Sequence, residues 1–178
     1  MKKIISLMLV AVLAVGTLAG CADKSNNGGD NSLTASLSEI VEQVAEKNDN
    51  GIQAELKEID LADKSEDGQW LIESTLGMKD VSKLKEAVVY EPMIGSIAFS
   101  MVMVRVNDPA DAKDVADKMM ANIDPRKWVC VAADDIQAVT YGDVVMFVMV
   151  DSGLDVKTNN YVSAFQEICG GKLDYKAK

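Results

Sequence analysis

The stretch SIAFSMVMVRV, residues 96–106, carries the strongest fold signal in the chain. Its length and its content of β-branched residues are typical of a long strand, and apolar residues occupy most positions on both of its alternating faces. A strand with two apolar faces is typical of a central position in a sheet. The sequence therefore predicts a central strand over residues 96–106.

A hairpin and a helix are predicted around this strand. Ala87–Tyr90 has the pattern of a shorter strand, joined to the long one by a turn at Glu91–Gly95. Asn107-Asp108-Pro109 indicates a helix start, and apolar residues then recur at helical spacing until Pro125. These apolar positions are Ala112, Val115, Ala116, Met119, Met120 and Ile123.

A second unit with the same layout follows. Residues 135–141 and 144–151 read as strands joined by a tight Gly142-Asp143 turn, and residues 160–169 read as a helix ending before Gly170-Gly171. This hairpin-helix unit repeats the order of the first one. Together the two units predict four strands and two helices in the order ββαββα.

Further helices are predicted before these units. Ser36 and Glu39 have the spacing of a capping box, which predicts a helix over residues 36–47. A short helix over 70–76 and a further helical turn near 80–85 are expected, whereas residues 52–68 show no clear pattern. The fold class is therefore α+β: a four-stranded antiparallel or mixed sheet with helices packed on one face, preceded by N-terminal helices.

The N-terminus has the pattern of a bacterial lipoprotein signal peptide. Lys2 and Lys3 precede an uncharged, mostly apolar run from Ile4 to Ala19, which is shorter than the roughly 20 residues of a membrane-spanning helix. The run ends at Leu18-Ala19-Gly20-Cys21, which resembles a lipobox. The sequence therefore predicts cleavage after residue 20 and a lipid on Cys21, which would anchor the chain to the extracytoplasmic face of the cell membrane.

The segment after Cys21 predicts a tether. Residues 22–32 (ADKSNNGGDNS) contain no large apolar side chain and cannot bury enough surface to offset the entropy of ordering them. Two acyl chains give the stable anchoring that one chain would not. The predicted organisation is a signal peptide over 1–20, the lipidated Cys21 and tether over 21–34, and one domain over 35–174.

Composition excludes several functions. Loss of residues 1–20 removes Lys2, Lys3 and no acid, so the net charge falls from −10 to −12. This charge argues against nucleic acid as a partner, because phosphate contacts need clustered Lys and Arg. The chain contains no histidine, which excludes Ser-His-Asp and Cys-His triads and HExxH zinc sites. No glycine-rich phosphate loop is present either.

Cys130 and Cys169 are the only thiols left after lipidation. Outside the membrane such a pair can form a disulfide, which would tie the second hairpin to the last helix. The alternative is two buried free thiols, since Cys169 continues the apolar face of Val162 and Phe165. A catalytic thiol is disfavoured because no histidine exists to activate it.

Two groups of acidic residues could suggest a functional site, but an ordinary structural role is favoured for each. Residues 63–68 (DKSEDG) match the opening of a calcium loop, but the twelfth position is Ser74 rather than a bidentate Glu, so a turn is favoured. Asp134 and Asp135 are adjacent, and neighbouring residues on a strand point to opposite faces, so they cannot flank one bond. We therefore expect no metal site, no catalytic residue and no cofactor.

One resemblance extends these patterns. Residues 76–80 (LGMKD), the strand through Tyr90, and the 96–106 strand with its helix start at Asn107-Asp108 resemble a family of small lipoproteins of Gram-positive, often gut-dwelling anaerobes, catalogued as a domain of unknown function. The resemblance covers roughly residues 35–169 and rests on element order and hydrophobic pattern. It implies a lipobox-anchored α+β domain and brings no catalytic residues.

These observations favour a non-enzymatic binding or interaction module. Its expected partners are the membrane, through the lipid on Cys21, and an envelope protein or small ligand. One alternative is a solute-capturing lipoprotein that serves a transporter, although the chain is short for the two lobes usual in that role. A hydrolase that uses carboxylates alone is the less favoured alternative.

Overall fold

The computed structural model describes residues 32–48 and 51–178. The predicted signal peptide, Cys21 and almost all of the predicted tether lie outside these residues. Four helices and six strands follow one another in the described chain. They are α1 (Leu37–Glu46), β1 (Ala54–Glu58), α2 (Glu66–Leu76), β2 (Leu84–Pro92), β3 (Phe99–Val106), α3 (Ala112–Asn122), β4 (Asp135–Tyr141), β5 (Val144–Val150), α4 (Thr158–Ile168) and β6 (Tyr175–Ala177).

All strand pairs are antiparallel, and the strand order is β1-β2-β3-β5-β4-β6. Every residue of β3 and of β5 is buried, which confirms a central strand within the predicted range 96–106, although the strand begins at Phe99 rather than at residue 96. The α+β class is confirmed, but the predicted count of four strands is wrong. The two strands that were missed are the edges: β1 has the charged sequence AELKE, and β6 has three residues. Short or charged edge strands carry little hydrophobic signal.

The helices cover both faces of the sheet, so their predicted packing on one face is wrong. We call the face under α1 and α4 the front and the face under α2 and α3 the back. Met101 and Met103 of β3 belong to the front core, whereas Val102 and Val104 belong to the back core. A strand that is apolar on both faces needs cover on both. The apolar residues on both faces of 96–106 therefore already indicated that both faces of the sheet are covered.

Helix boundaries follow the capping signals. Ser36 and Glu39 form both halves of the predicted capping box, and α2 ends at Gly77 in the left-handed region, as expected. The helical turn predicted near 80–85 is wrong. The backbone N–H of Ser82 donates to the Asp80 carboxylate over 3.0 Å, which makes a turn before β2 begins at Leu84.

Arg105 fastens the start of the domain to one end of the sheet. Its guanidinium is buried and donates to the backbone carbonyls of Leu33 and Ala35 over 2.9 and 2.7 Å. It also pairs with Asp143 at 2.9 Å and with Glu86 at 3.4 Å. We call this the entry end of the sheet. The β2–β3 turn and the start of β4 lie at the opposite end, the far end.

The folded domain extends beyond the predicted end at residue 174. Residues 175–177 pair with β4 as strand β6, and the Tyr175 hydroxyl donates to Asp117 of α3 over 2.6 Å. The ammonium group of Lys113 lies 4.5 Å from the centre of the Tyr175 ring. These contacts hold the last strand against the back-face helix α3.

Candidate functional site

A cleft of about 450 Å³ opens on the front face of the sheet. It lies where the end of α1, the strands β2 and β3, and the first half of α4 meet. We call it the aromatic cleft. Its lining residues are Glu42, Ala45, Glu46, Asn48, Ile52, Tyr90, Phe99 and Tyr161. Small-molecule sites in proteins have volumes of about 300–1,000 Å³, so the cleft is large enough for a small ligand.

Three aromatic rings form the floor and one wall of this cleft. Phe99 lies between Tyr90, at 6.1 Å and 88°, and Tyr161, at 5.1 Å and 42°. Phe99 and Tyr161 are almost fully buried, whereas Tyr90 is partly exposed, and partial burial raises the pKa of Tyr90. Aromatic pairs in such arrangements attract each other beyond the effect of burial alone. Of the three rings, Tyr90 is the one most accessible to a ligand.

Two carboxylates line the rim of the cleft on α1. Glu42 and Glu46 are one helical turn apart and both are exposed. Among the described residues, neither has a hydrogen-bond or ion-pair partner, although the adjacent Lys47 pairs with Glu167 at 2.9 Å. No basic residue lies in the last turn of α1. The rim therefore carries two negative charges that no cation of the described chain neutralises.

Asn48 closes the end of the helix that carries these acids. Its side-chain amide donates to the Val44 carbonyl over 2.7 Å. This hydrogen bond satisfies one of the last carbonyls of α1, which otherwise lack partners within the helix. The end of α1 is thus held in place beside the aromatic floor.

A second exposed surface lies at the far end of the sheet. Met93, Ile94 and Val129 are 80, 61 and 70% exposed. The backbone N–H of Val129 donates to the Gly95 carbonyl over 2.9 Å, which ties the loop before β4 to the β2–β3 turn. We call this apolar surface the far-end patch; its residues do not line the aromatic cleft.

The structure has Cys130 and Cys169 as free thiols, so the disulfide considered from the sequence is not present in it. Cys169 is buried in the front core behind α4, as its periodicity predicted. Cys130 is exposed in the loop before β4, with a positive φ of 63°, so the alternative of two buried thiols also fails for it. Burial raises the pKa of Cys169 to about 12, which keeps its thiol protonated and unreactive.

The stretch 63–68 forms a helix cap rather than a calcium loop. The Ser65 hydroxyl accepts from the backbone N–H of Gly68 over 3.0 Å, and the Asp63 carboxylate accepts from the N–H of Ser65 over 2.8 Å. A Cβ on Gly68 would collide with the Asp63 carboxyl, so the glycine is required by this cap. Throughout 32–48 and 51–178, no group of three or more acidic or cysteine side chains could hold a metal ion.

Asp134 and Asp135 form hydrogen bonds with different residues. Asp134 accepts from the backbone N–H and the hydroxyl of Ser152, each over 2.7 Å, and these hydrogen bonds lower its pKa. Asp135 accepts from the backbone N–H of Thr158 over 3.0 Å, at the start of α4. Each carboxylate therefore has a structural partner of its own, and the two do not form a common site.

The aromatic cleft was not predicted from the sequence. Its three rings come from β2, β3 and α4, which are far apart in the chain, so no local pattern joins them. One signal was present: Glu42 and Glu46 place like charges at i and i+4 near a helix end that has no Lys or Arg before residue 47. Such an arrangement is unfavourable for a helix by itself.

Comparison of the chain with models of known families, with curated proteins and with solved structures found no match. The resemblance stated from residues 76–108 therefore stays a prediction. Within the described residues, none of the helices is long and apolar enough to cross a membrane.

Proposed function

We propose that this chain is a lipoprotein anchored through Cys21 to the extracytoplasmic face of the cell membrane, and that it acts as a non-enzymatic binding module. The aromatic cleft is its binding site. The observation that carries the proposal is a cleft lined by three packed aromatic rings and by two carboxylates that have no partner in the described chain. Such a combination of apolar surface and a few polar groups is typical of ligand sites.

The placement of the acids favours binding over hydrolysis. Carboxylate catalysis needs two acids on opposite sides of the scissile bond, with one of them in an apolar environment that raises its pKa. Glu42 and Glu46 come from the same face of one helix, and both are exposed to solvent. They approach a ligand from the same side, which suits the recognition of charge.

The architecture also favours this role over solute capture for a transporter. Solute-capturing proteins commonly close two lobes around the ligand. Here one continuous six-stranded sheet runs through the described chain, and the cleft lies on one of its faces. A ligand would therefore dock on a rigid surface rather than between moving domains.

The entry end and the far end suggest an orientation. Arg105 holds Leu33 at the entry end, and only residues 22–32 separate Leu33 from Cys21. A chain of that length spans about 20 Å as a flexible coil and at most about 40 Å fully extended. The anchored domain would keep its entry end near the membrane, with Phe99 and the cleft further out.

Anchoring is tested by replacing the predicted lipid-bearing residue. Cys21→Ala should leave the precursor uncleaved and without lipid, because the thioether that carries the lipid cannot form. Mass spectrometry of the wild-type protein should find a mature chain that begins at Cys21 with its acyl chains. A mature chain that begins elsewhere, with no acyl mass on Cys21, would show that the anchor is wrongly assigned.

The binding site is tested by filling the cleft. Ala45 lines it, so Ala45→Trp should block entry of a ligand. The mature chain from residue 22 would be screened by NMR against soluble ammonium compounds, carboxylates, sugars and short peptides. Ala121→Trp is the matched control, since Ala121 is an exposed residue of the back-face helix α3.

We expect at least one compound class to shift the resonances of residues around the cleft, and Ala45→Trp to abolish that shift while Ala121→Trp retains it. Binding that survives Ala45→Trp, or that maps to the far-end patch, would place the site elsewhere and overturn the proposal.

A further inference from the structure

The aromatic cleft has a negative potential that α1 itself strengthens. The C-terminal end of a helix carries about half a negative charge, and acids there are unfavourable because they add to it. Glu46 is the last residue of α1, and Glu42 lies one turn earlier. Both side chains line the cleft, and no basic side chain is among its lining residues. A cation in the cleft would therefore meet two carboxylates and a helix end of the same sign.

A metal ion does not suit this potential. Calcium takes six to eight oxygen ligands, and magnesium needs near-octahedral geometry. The described residues provide no group of three acids that could converge on one ion. The floor next to the carboxylates is apolar and aromatic rather than a source of further oxygen ligands. The positive charge that fits here is therefore carried by an organic group rather than by a metal ion.

The aromatic floor selects such a group. Ammonium groups with an organic body are attracted to the faces of aromatic rings, and this attraction is strongest where water is displaced. Tyr90 offers a partly exposed ring for the body of the ligand, and the buried ring of Phe99 packs against both Tyr90 and Tyr161. The volume of about 450 Å³ holds a small organic cation or the end of a lysine side chain.

We propose that the aromatic cleft binds an organic ammonium cation, with Glu42 and Glu46 pairing with the charge and Tyr90 contacting the alkyl groups around it. This inference rests on the proposed function, because it assumes that the cleft is the binding site. The same chemistry occurs in quaternary ammonium compounds, in diamines and in lysine side chains. The experiment separates these sources.

The probes are pairs that differ in charge. Choline is compared with 3,3-dimethylbutan-1-ol, which has the same shape but no charge. Putrescine represents the diamines, and Nα-acetyl-lysine methylamide, which keeps its side-chain ammonium group, represents lysine side chains in peptides. Calcium chloride and a neutral disaccharide serve as further arms. Binding to the mature chain from residue 22 would be measured by NMR titration at low salt and at 1 M NaCl.

We expect at least one ammonium compound to bind the wild-type chain about tenfold more tightly than its neutral counterpart, and to weaken in 1 M NaCl because salt screens exposed charges. The double variant Glu42→Gln/Glu46→Gln should weaken that binding by about tenfold, and Tyr90→Leu by about threefold. Glu58→Gln is the control, because it removes one exposed, unpaired charge on β1, away from the cleft.

Several outcomes would overturn the inference. Equal binding of choline and its neutral isostere, preference for the disaccharide or for calcium, or no binding of any ammonium compound would each do so. Because Glu58→Gln removes one charge and the double variant removes two, a loss of about threefold or more with Glu58→Gln would show an effect of net charge alone. These results are separate from a failure of the proposed function, because a neutral compound whose binding is blocked by Ala45→Trp would leave the cleft as the site.

Discussion

The entry end and the aromatic cleft use charge in opposite ways. At the entry end, Arg105 is buried and its guanidinium donates to two carbonyls and two carboxylates. At the cleft, Glu42 and Glu46 are exposed, repel each other and form no ion pair with a cation of the described chain. The first arrangement uses charge to hold the fold together, whereas the second leaves charge available at some cost to the fold. This difference separates a structural ionic site from a candidate binding site.

The largest effect is expected at the entry end. Arg105→Met keeps the bulk of the side chain but leaves Asp143 without its cation and removes the donors to Leu33 and Ala35. Loss of one partner from a buried ion pair costs roughly 3–5 kcal/mol. Urea unfolding followed by circular dichroism should show a loss of that order.

The matched control for this change is Arg126→Met, because Arg126 is the other arginine of the chain and its side chain is 81% exposed, 3.8 Å from Asp124. We expect a change within about 0.5 kcal/mol for this surface pair. Equal losses for the two variants would contradict the structural role assigned to Arg105.

The back face offers a comparison between burial and exposure on adjacent residues. Met119 of α3 is fully buried, so Met119→Ala should destabilise the chain by roughly 2–4 kcal/mol. Lys118 lies on the outer side of the same helix and pairs with Asp114 at 2.9 Å. Lys118→Ala should change stability by less than about 0.5 kcal/mol. Similar losses from the two variants in urea unfolding would mean that α3 is rotated from the orientation described.

The two cysteines give a contrast that requires no mutation. Cys130 is exposed, whereas burial raises the pKa of Cys169 to about 12. A thiol reagent at pH 8 should therefore label the native chain at Cys130 only, and should label both after unfolding. Because the folded-state pKa of Cys169 lies above the ordinary value of 9.0, its contribution also lowers stability as the pH rises from about 9 towards 12. Labelling of Cys169 in the native state would contradict its burial.

Patterns within the sequence predicted part of this structure. The two apolar faces of residues 96–106, the stripe through Met119 and the capping box at Ser36 all reflect local periodicity or local hydrogen bonds, and each appears as expected. The strands at residues 54–58 and 175–177 were not predicted, because strands at a sheet edge are defined by their partners rather than by their own composition. The cover on both faces was missed although the apolar pattern required it.

The candidate site was harder to predict for a physical reason. Tyr90, Phe99 and Tyr161 meet only because β2 and β3 pair and α4 packs on the front face. No spacing along the chain encodes such a meeting. The acids of α1 were visible, but exposed acids on a helix are common, and their lack of neutralising partners became apparent only when the surrounding side chains were placed. The site therefore became visible only from contacts between side chains that are far apart in the sequence.

The smallest expected effect is the one that most sharpens the comparison. Glu42→Gln/Glu46→Gln removes a repulsion between like charges at i and i+4, which costs a helix about 0.2–0.5 kcal/mol. It also removes Glu46 from the last turn of α1, at the negative end of the helix, where an acid costs about 0.3–1 kcal/mol at low salt. We therefore expect this variant to be more stable than the wild type by roughly 0.5–1.5 kcal/mol in urea unfolding, in contrast to the loss expected for Arg105→Met. The gain should shrink in 1 M NaCl, where the screening length falls to about 3 Å, and Glu58→Gln should show little change at either salt concentration.

A variant that gains stability while it loses affinity for an ammonium compound would be typical of a site retained for binding at the expense of the fold. A loss of stability would instead mean that Glu42 and Glu46 support the structure, and the contrast between the two ends of the molecule would no longer hold.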